Sequence, residues 1–167
     1  MIKLRKVKEN EAQLALSFIE MAKAHLKNQG IDQWQDGYPD MSSIVADISA
    51  ERAYFITADE IPAGYMCLDF EGEPVYSQLD GCWQNTGSYA ALHRLAISDE
   101  YRGSGCGKKA FEAAEAYCKQ HGICSIRVDT KSTNPKMRHV ITSNGYEYRG
   151  DVIYETAGAR MAFEKVF

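Results

Sequence analysis

The sequence contains no run of apolar residues approaching the roughly 20 that a membrane-spanning helix requires; stretches such as Tyr89 to Leu92 and Leu95 to Ile97 are among its longest. No membrane partner is expected. Nor does a basic start lead into an apolar block. Met1 to Lys8 alternates charge with Ile2, Leu4 and Val7, which argues against a signal peptide and predicts a cytoplasmic protein. Cysteine is present but without pattern: Cys67, Cys82, Cys106, Cys118 and Cys124 are odd in number and form no CxxC pair. That excludes a disulfide framework and zinc-ligand spacing, so reduced thiols and no metal are expected. An excess of one charge is lacking too. With 19 basic and 23 acidic residues the formal net charge is -4, and nothing gathers a polyanion, so nucleic acid is not an expected partner.

What remains is ordinary globular composition, 45% hydrophobic and 25% charged over 167 residues. A chain of this length forms one domain around one core, so residues 1–167 are read as a single unit. Ile2 to Val7 alternates at period two and predicts a first strand; Asn10 then offers an N-cap to a helix. Leu14, Phe18, Ala22 and Leu26 form the stripe of that helix, and Gly30 closes it. Gly30 to Asp40 is a loop rich in turn formers, and Ser43 to Glu51 a second, shorter helix. Arg52 to Ala58 and Ala63 to Phe70 predict a hairpin turning at Asp59 to Pro62. Asp69 to Ser88 reads as a long, acidic connection, a length at which loops are often functional.

Tyr89 to Ile97 predicts a central strand, Lys108 to His121 a helix ended by Gly122, and Cys124 to Asp129 a strand parallel to the previous one. Pro135 to Ser143 predicts another helix, with Asn134 as N-cap and Pro135 at its first position. Tyr146 to Arg149, Val152 to Glu155 and Arg160 to Val166 supply closing strands, with turns at Gly150-Asp151 and Ala157-Gly158. The fold class is therefore α/β with mixed character.

Between the central strand and its helix stands Arg102-Gly103-Ser104-Gly105-Cys106-Gly107, with no acidic residue from Arg102 until Glu112. A helix start offers unpaired amides and partial positive charge, and glycines let phosphate oxygens approach the main chain. A plain chain-reversing turn is the simpler reading of GxGxG alone. The spacing lacks the GxGxxG of a dinucleotide fold, with its later ribose-binding acid, and the GK[ST] of a P-loop. What it matches is Arg/Gln-x-x-Gly-x-Gly/Ala, at Arg102, Gly105 and Gly107, preceded by Leu92-His93-Arg94-Leu95-Ala96-Ile97-Ser98-Asp99-Glu100-Tyr101.

On these residues the chain resembles the GNAT acetyltransferase superfamily. The likeness continues through Asn134 to Asn144-Gly145-Tyr146, where members usually show Gly-Phe. The resemblance implies a GNAT fold: a mostly antiparallel twisted sheet with a splayed parallel strand pair and about four flanking helices. It implies acetyl-CoA as co-substrate, its pantetheine arm along Leu95, Ala96 and Ile97 and its pyrophosphate on Arg102, Gly103, Ser104, Gly105, Cys106, Gly107 and Lys108. Asn134 contacts pantetheine in such enzymes, or serves only as an N-cap.

The implied reaction is N-acetylation of a small-molecule or peptide amine by direct attack in a ternary complex. A protonated amine must first lose its proton. His93, on the cofactor strand, is the leading base, with arylalkylamine-type members carrying histidine at a similar place; a histidine hydrogen-bonded inside the sheet is the other reading. Glu71 and Glu73 are weaker alternatives. An amide at or near Leu95 would stabilise the oxyanion. The family often places a thiolate-protonating tyrosine four residues before its Gly-Phe pair, but here that residue is Ile141. This departure leaves a non-catalytic acyl-CoA-binding domain as the alternative. For the acceptor, Trp34, Tyr38 and Trp83 would form an aromatic wall, and Asp36, Asp69, Glu71 or Asp80 would attract a cationic amine. Homodimerisation through the C-terminal strands is common among similar proteins.

Overall fold

The computed structural model describes all residues from Met1 to Phe167. Strand β1 (Ile2–Lys6) leads through a 3-10 turn (Glu9–Glu11) into α1 (Ala12–Asn28). After a loop come α2 (Met41–Ser49), β2 (Ala53–Ala58) and β3 (Ile61–Asp69). A second 3-10 turn (Pro74–Gln78) and the short β4 (Asp80–Gly81) precede β5 (Ala90–Ile97). Then follow α3 (Cys106–Gln120), β6 (Ser125–Thr130), α4 (Pro135–Ser143), β7 (Glu147–Tyr154) and β8 (Gly158–Val166). All eight strands form one sheet in the order β1-β2-β3-β5-β6-β8-β7-β4. Every pairing is antiparallel except β5 with β6. The chain therefore has the mixed α/β architecture expected, with four α-helices. No helix is long and apolar enough to cross a membrane.

The two faces of the sheet are sealed by different helices. Ile56, Met66, Leu68, Leu92, Ile126 and Val128 pack with Phe111, Ala114 and Ile141 of α3 and α4. Phe55 and Tyr65 pack with Phe18, Ile19 and Ile44 of α1 and α2 on the other face. Because strand side chains alternate, these sets interleave along the same strands. The expected stripe on α1 is displaced: Leu14 is exposed, while Ala15, Phe18 and Ile19 are buried. A four-residue spacing drifts around the helix, so its first member turns to solvent. Asn10 is not the N-cap either. It lies in the 3-10 turn, where the Glu11 carboxylate accepts from the Lys8 amide at 3.0 Å.

Two further expectations change. Gly150-Asp151 is not a turn but lies inside the continuous strand β7, paired with Ala162 and Met161 just after a bulge between Tyr148 and Gly150. There β4 lies so close that a Cβ on Gly81 would sit 1.9 Å from the Arg149 carbonyl oxygen, and one on Gly150 would sit 2.1 Å from that of Asp80. Only glycine permits that approach. The segment from Asp69 to Ser88 is not an open acidic loop. Tyr76 is buried in it, Trp83 Nε1 donates to the Tyr76 carbonyl at 2.8 Å, and the amides of Gln84 and Asn85 donate to Glu164 Oε2 at 2.6 and 3.3 Å. Trp83 of this segment and the adjoining Tyr89 flank Arg127, whose guanidinium lies 4.1 Å from the Trp83 ring centroid and 3.8 Å from that of Tyr89.

The feature that positions the site is the parting of β5 from β6. Their pairing covers Ala90 to Leu92 against Ile126 to Val128 and then stops, although both strands continue. The parting coincides with a bulge against β3 and with Arg94 at φ 53, a conformation that costs about 1–2 kcal/mol for a residue bearing Cβ. Arg94 is held there from outside the strand. Its Nε and Nη2 donate to the two oxygens of Asp47 at 2.8 and 2.6 Å, and Nη1 donates to Tyr38 Oη at 2.7 Å. Asp47 is buried on α2 and also accepts from Tyr65 Oη and Arg52 Nε, so the helix clamps the bulge.

Candidate active site

The gap between β5 and β6 opens into a cavity of about 1000 Å³. One wall is β5. The Ser98 amide donates to the Ala63 carbonyl on β3 at 2.9 Å, so by alternation the main chain of Leu95 and Ile97 faces the gap. There Arg102 Nη2 donates to the Ile97 carbonyl at 3.0 Å, while Nη1 pairs with Asp99 at 2.6 Å.

At one end of the cavity lies the glycine loop. Gly105 has φ 80 and precedes α3 as its N-cap without a side-chain cap. A Cβ on Gly103 or Gly105 would meet no atom within 4 Å, so both glycines border open space. Ser104 is exposed and does not line the cavity; its amide and hydroxyl both donate to the Tyr101 carbonyl, at 3.3 and 2.6 Å. The amides of Gly103, Gly105, Cys106, Gly107 and Lys108 have no acceptor in the protein. Unpaired amides at the start of a fifteen-residue helix form an anion site. Lys108 and Lys136 also line the cavity and add positive charge beside it. The pyrophosphate of CoA fits this cradle in charge and space.

At the other end, alternation brings one set of side chains to one face: His93 of β5, Asp129 of β6, Tyr154 of β7 and Arg160 of β8. Their strand neighbours Ala91, Val152 and Ala162 pack together on that face with Tyr76. Asp129 Oδ2 accepts from Tyr76 Oη and Tyr154 Oη, each at 2.7 Å. Burial, then the charge of Asp129, pushes both phenols well above their ordinary range, so they stay protonated. His93 Nε2 is 3.5 Å from Glu73 Oε2. Burial lowers the His93 pKa below 6.5 and the Arg94 charge adds to this, against the opposing charges of Asp129, Glu73 and Asp69. The imidazole is therefore neutral at pH 7 and able to accept a proton.

The structure brings Trp34, Tyr38, Asp36, His93, Leu95, Ala96, Ile97, Arg102, Gly103, Gly105, Cys106, Gly107, Lys108 and Asn134 to this one cavity. Asn134 caps α4, its Oδ1 accepting from the Met137 amide at 3.2 Å, while Nδ2 donates to Gln33 Oε1 at 3.2 Å. It thereby ties the Gly30 to Asp40 loop to the cavity wall. Asp69, Glu71 and Trp83 are not brought there. Asp69 is buried, accepting from Arg52 Nη1 at 2.6 Å and from the Glu71 amide at 2.9 Å. Glu71 is exposed, and Trp83 is spent on Tyr76 and Arg127. Glu73, rather than Glu71, reaches the cavity, because the 3-10 turn that starts at Pro74 folds it back over His93. Ile141 is wholly buried in the core and offers the cavity no proton donor. Asp129, Tyr154 and Arg160 were missed; the alternation of Arg127 and Asp129 against Ile126 and Val128 is the signal that marks their shared face.

The sequence matches the acetyltransferase (GNAT) family over residues 19–146. No protein of curated function matches it. Among solved structures, a GNAT-family acetyltransferase from Streptococcus agalactiae 2603 superposes with TM-score 0.89 at 31% identity, covering 99% of this chain and 95% of that one. A GNAT-family acetyltransferase from Listeria monocytogenes 4b F2365 gives 0.77 at 18% identity, with coverage of 99% and 95%. Aminoglycoside acetyltransferase AAC(6')-Ib, solved with coenzyme A and kanamycin, gives 0.71 at 17% identity, again covering 99% and 95%.

Proposed function

Because the chain belongs to the GNAT acetyltransferase family, we propose that it transfers the acetyl group of acetyl-CoA to a primary amine by direct attack in a ternary complex. The observation that carries this reading is the cradle of unpaired amides of Gly103, Gly105, Cys106, Gly107 and Lys108 opening onto the same cavity as a half-buried, neutral histidine. AAC(6')-Ib, of like fold, was solved with coenzyme A and an amine-bearing aminoglycoside, which is in keeping with both halves of the proposal.

In this reading the amides hold the pyrophosphate, with Lys108 and Lys136 adding charge, and the pantetheine arm lies along Leu95 and Ile97. The Ile97 carbonyl accepts one hydrogen bond from Arg102 and has a second lone pair to offer the arm. An amine of pKa near ~10 is neutral in roughly one molecule in a thousand at pH 7, a handicap of about 4 kcal/mol. His93 takes the amine proton, and Glu73, half-buried beside it, steadies the imidazolium and leads toward solvent. The amine nitrogen then forms its bond to the thioester carbonyl carbon, with the Leu95 amide facing the developing oxyanion. The carbon–sulfur bond breaks, CoA leaves as thiolate, and the second proton of the attacking nitrogen passes to that thiolate or to solvent, leaving the neutral amide. A thiol of pKa near ~8.5 leaves without obligate protonation, which fits a core residue, Ile141, at the position of the missing acid.

The same absence supports a second reading, an acyl-CoA-binding domain without turnover. One assay separates them. The protein, acetyl-CoA and a panel of amines are mixed with a thiol reagent: amine-dependent, saturable release of free CoA is expected, and acetyl-CoA binding without release with any amine would leave only the second reading.

A further inference from the structure

Among the charged groups shielded from solvent at the acceptor end, Arg160 alone lacks a hydrogen-bonded partner. Glu73 lies over His93 and accepts from the Val75 amide at 3.2 Å, Asp129 accepts from two phenols at Oδ2, and Lys131 is paired with Asp32 at 3.1 Å. Arg160 has a side chain only 9% exposed, yet its nearest carboxylate oxygen, Asp129 Oδ1, is 3.9 Å away, beyond hydrogen-bond range. Its Nε is buried with no acceptor at all. A guanidinium carries five donors in a planar fork and is not deprotonated in a protein. Leaving it buried and unbonded is costly unless something enters to bond it. Arg94 and Arg127, by contrast, are hydrogen-bonded at Nε and at one or both terminal nitrogens, Arg94 by Asp47 and Tyr38 and Arg127 by Glu164 and the Asn85 carbonyl. Arg160 also lines the cavity, on the same face as His93.

We propose that Arg160 receives a carboxylate of the acceptor, so that the acceptor is an amine that itself carries a carboxylate, of amino-acid character. This rests on the acetyl-transfer reading above and deepens it. The two ends of such a molecule find opposite surroundings within one pocket. The carboxylate meets the Arg160 fork, which binds carboxylates bidentately. The ammonium meets Glu73 and Asp129, and His93 takes its proton. Trp34 and Tyr38, on the loop across the cavity, face the remainder of the molecule. A purely cationic acceptor, such as a polyamine, would bring a second positive charge against a guanidinium that Asp129 only partly balances.

The test uses pairs of amines that differ only in carrying a free carboxylate or its carboxamide, with thiol release as the readout, on the parent, Arg160→Gln and Arg160→Lys. Acetyl-CoA affinity is measured in parallel by calorimetry, which reads the other end of the cavity. The parent is expected to turn over the free acids with kcat/KM at least about tenfold above the amides, since a buried polar group left unpaired discriminates strongly. Arg160→Gln is expected to bring that ratio near one, and Arg160→Lys to leave an intermediate value, with acetyl-CoA affinity retained in both. If the parent acetylates acids and amides equally, prefers the amides, or acetylates none of the acids while binding acetyl-CoA, the proposal is overturned and acetyl-CoA recognition stands. A parent that does not bind acetyl-CoA takes both readings down together.

Discussion

Substitution of Gly105 separates the strain of the loop from its service to a ligand. The residue sits at φ 80, and a Cβ there would meet no protein atom within 4 Å. Gly105→Ala therefore creates no clash in the free protein, and its cost to folding is the left-handed conformation alone, about 1–2 kcal/mol. For a chain of this size that lowers Tm by about 2–8 °C. Gly105→Asp pays a similar conformational cost, since aspartate tolerates this region better than most residues. Its effect on ligand is much larger, because it places a carboxylate among amides whose proposed partner is a pyrophosphate. Two like charges about 5 Å apart at an effective dielectric near 20 repel by about 3 kcal/mol, roughly a hundredfold in affinity. Calorimetry with acetyl-CoA is then expected to show a Kd raised about a hundredfold or more for Gly105→Asp and by a smaller factor for Gly105→Ala, with similar Tm losses. A Gly105→Asp protein that stays folded and binds acetyl-CoA within about threefold of the parent would refute the assignment of these amides to phosphate.

Three other outcomes follow from the geometry. His93→Gln should lower kcat by about 10²- to 10⁴-fold, and the parent's kcat/KM should rise with pH through an inflection below 6.5, because burial depresses the imidazole; an inflection above that value, or a limb that survives in the variant, would exclude His93 as the base. Asp47→Asn should cost about 3–5 kcal/mol in urea unfolding, since it leaves Arg94 and Arg52 without their buried counter-charge. Burial raises the Asp47 carboxyl, but the hydrogen bond and charge of Arg94, with Tyr65 and Arg52, outweigh it and hold the pKa below 3.8. Its stabilisation is thus fully present above 3.8 and is lost as pH falls through the depressed value, a loss the Asn variant should not show. Gly81→Ala should cost about 1–3 kcal/mol by overpacking against the Arg149 carbonyl and speed hydrogen exchange at the Cys82 amide, which donates to that same carbonyl at 3.2 Å.

Local chemistry wrote much of this protein plainly. Asn134 followed by Pro135 fixes the start of α4, because a side-chain oxygen caps a free amide and proline needs none. The alternation of Ile126 and Val128 marks β6, and the glycines of Arg102 to Gly107, bare of acidic neighbours, mark an anion cradle, since both depend only on residues near in sequence. What tertiary structure decided are matters of long-range contact. Trp83 and Asp69 resemble site residues in composition, yet Arg127 and Arg52, far away in the chain, claim them. The parting of β5 from β6 rests on Arg94 being gripped by Asp47, 47 positions earlier. Asp129, Tyr154 and Arg160 become one chamber with His93 only when four strands set their register, because a strand's pattern gives the face of each side chain but not which strand lies beside it. The sequence by itself determined most of the elements and the glycine loop with its free amides; the order and register of the strands determined what stands opposite that loop.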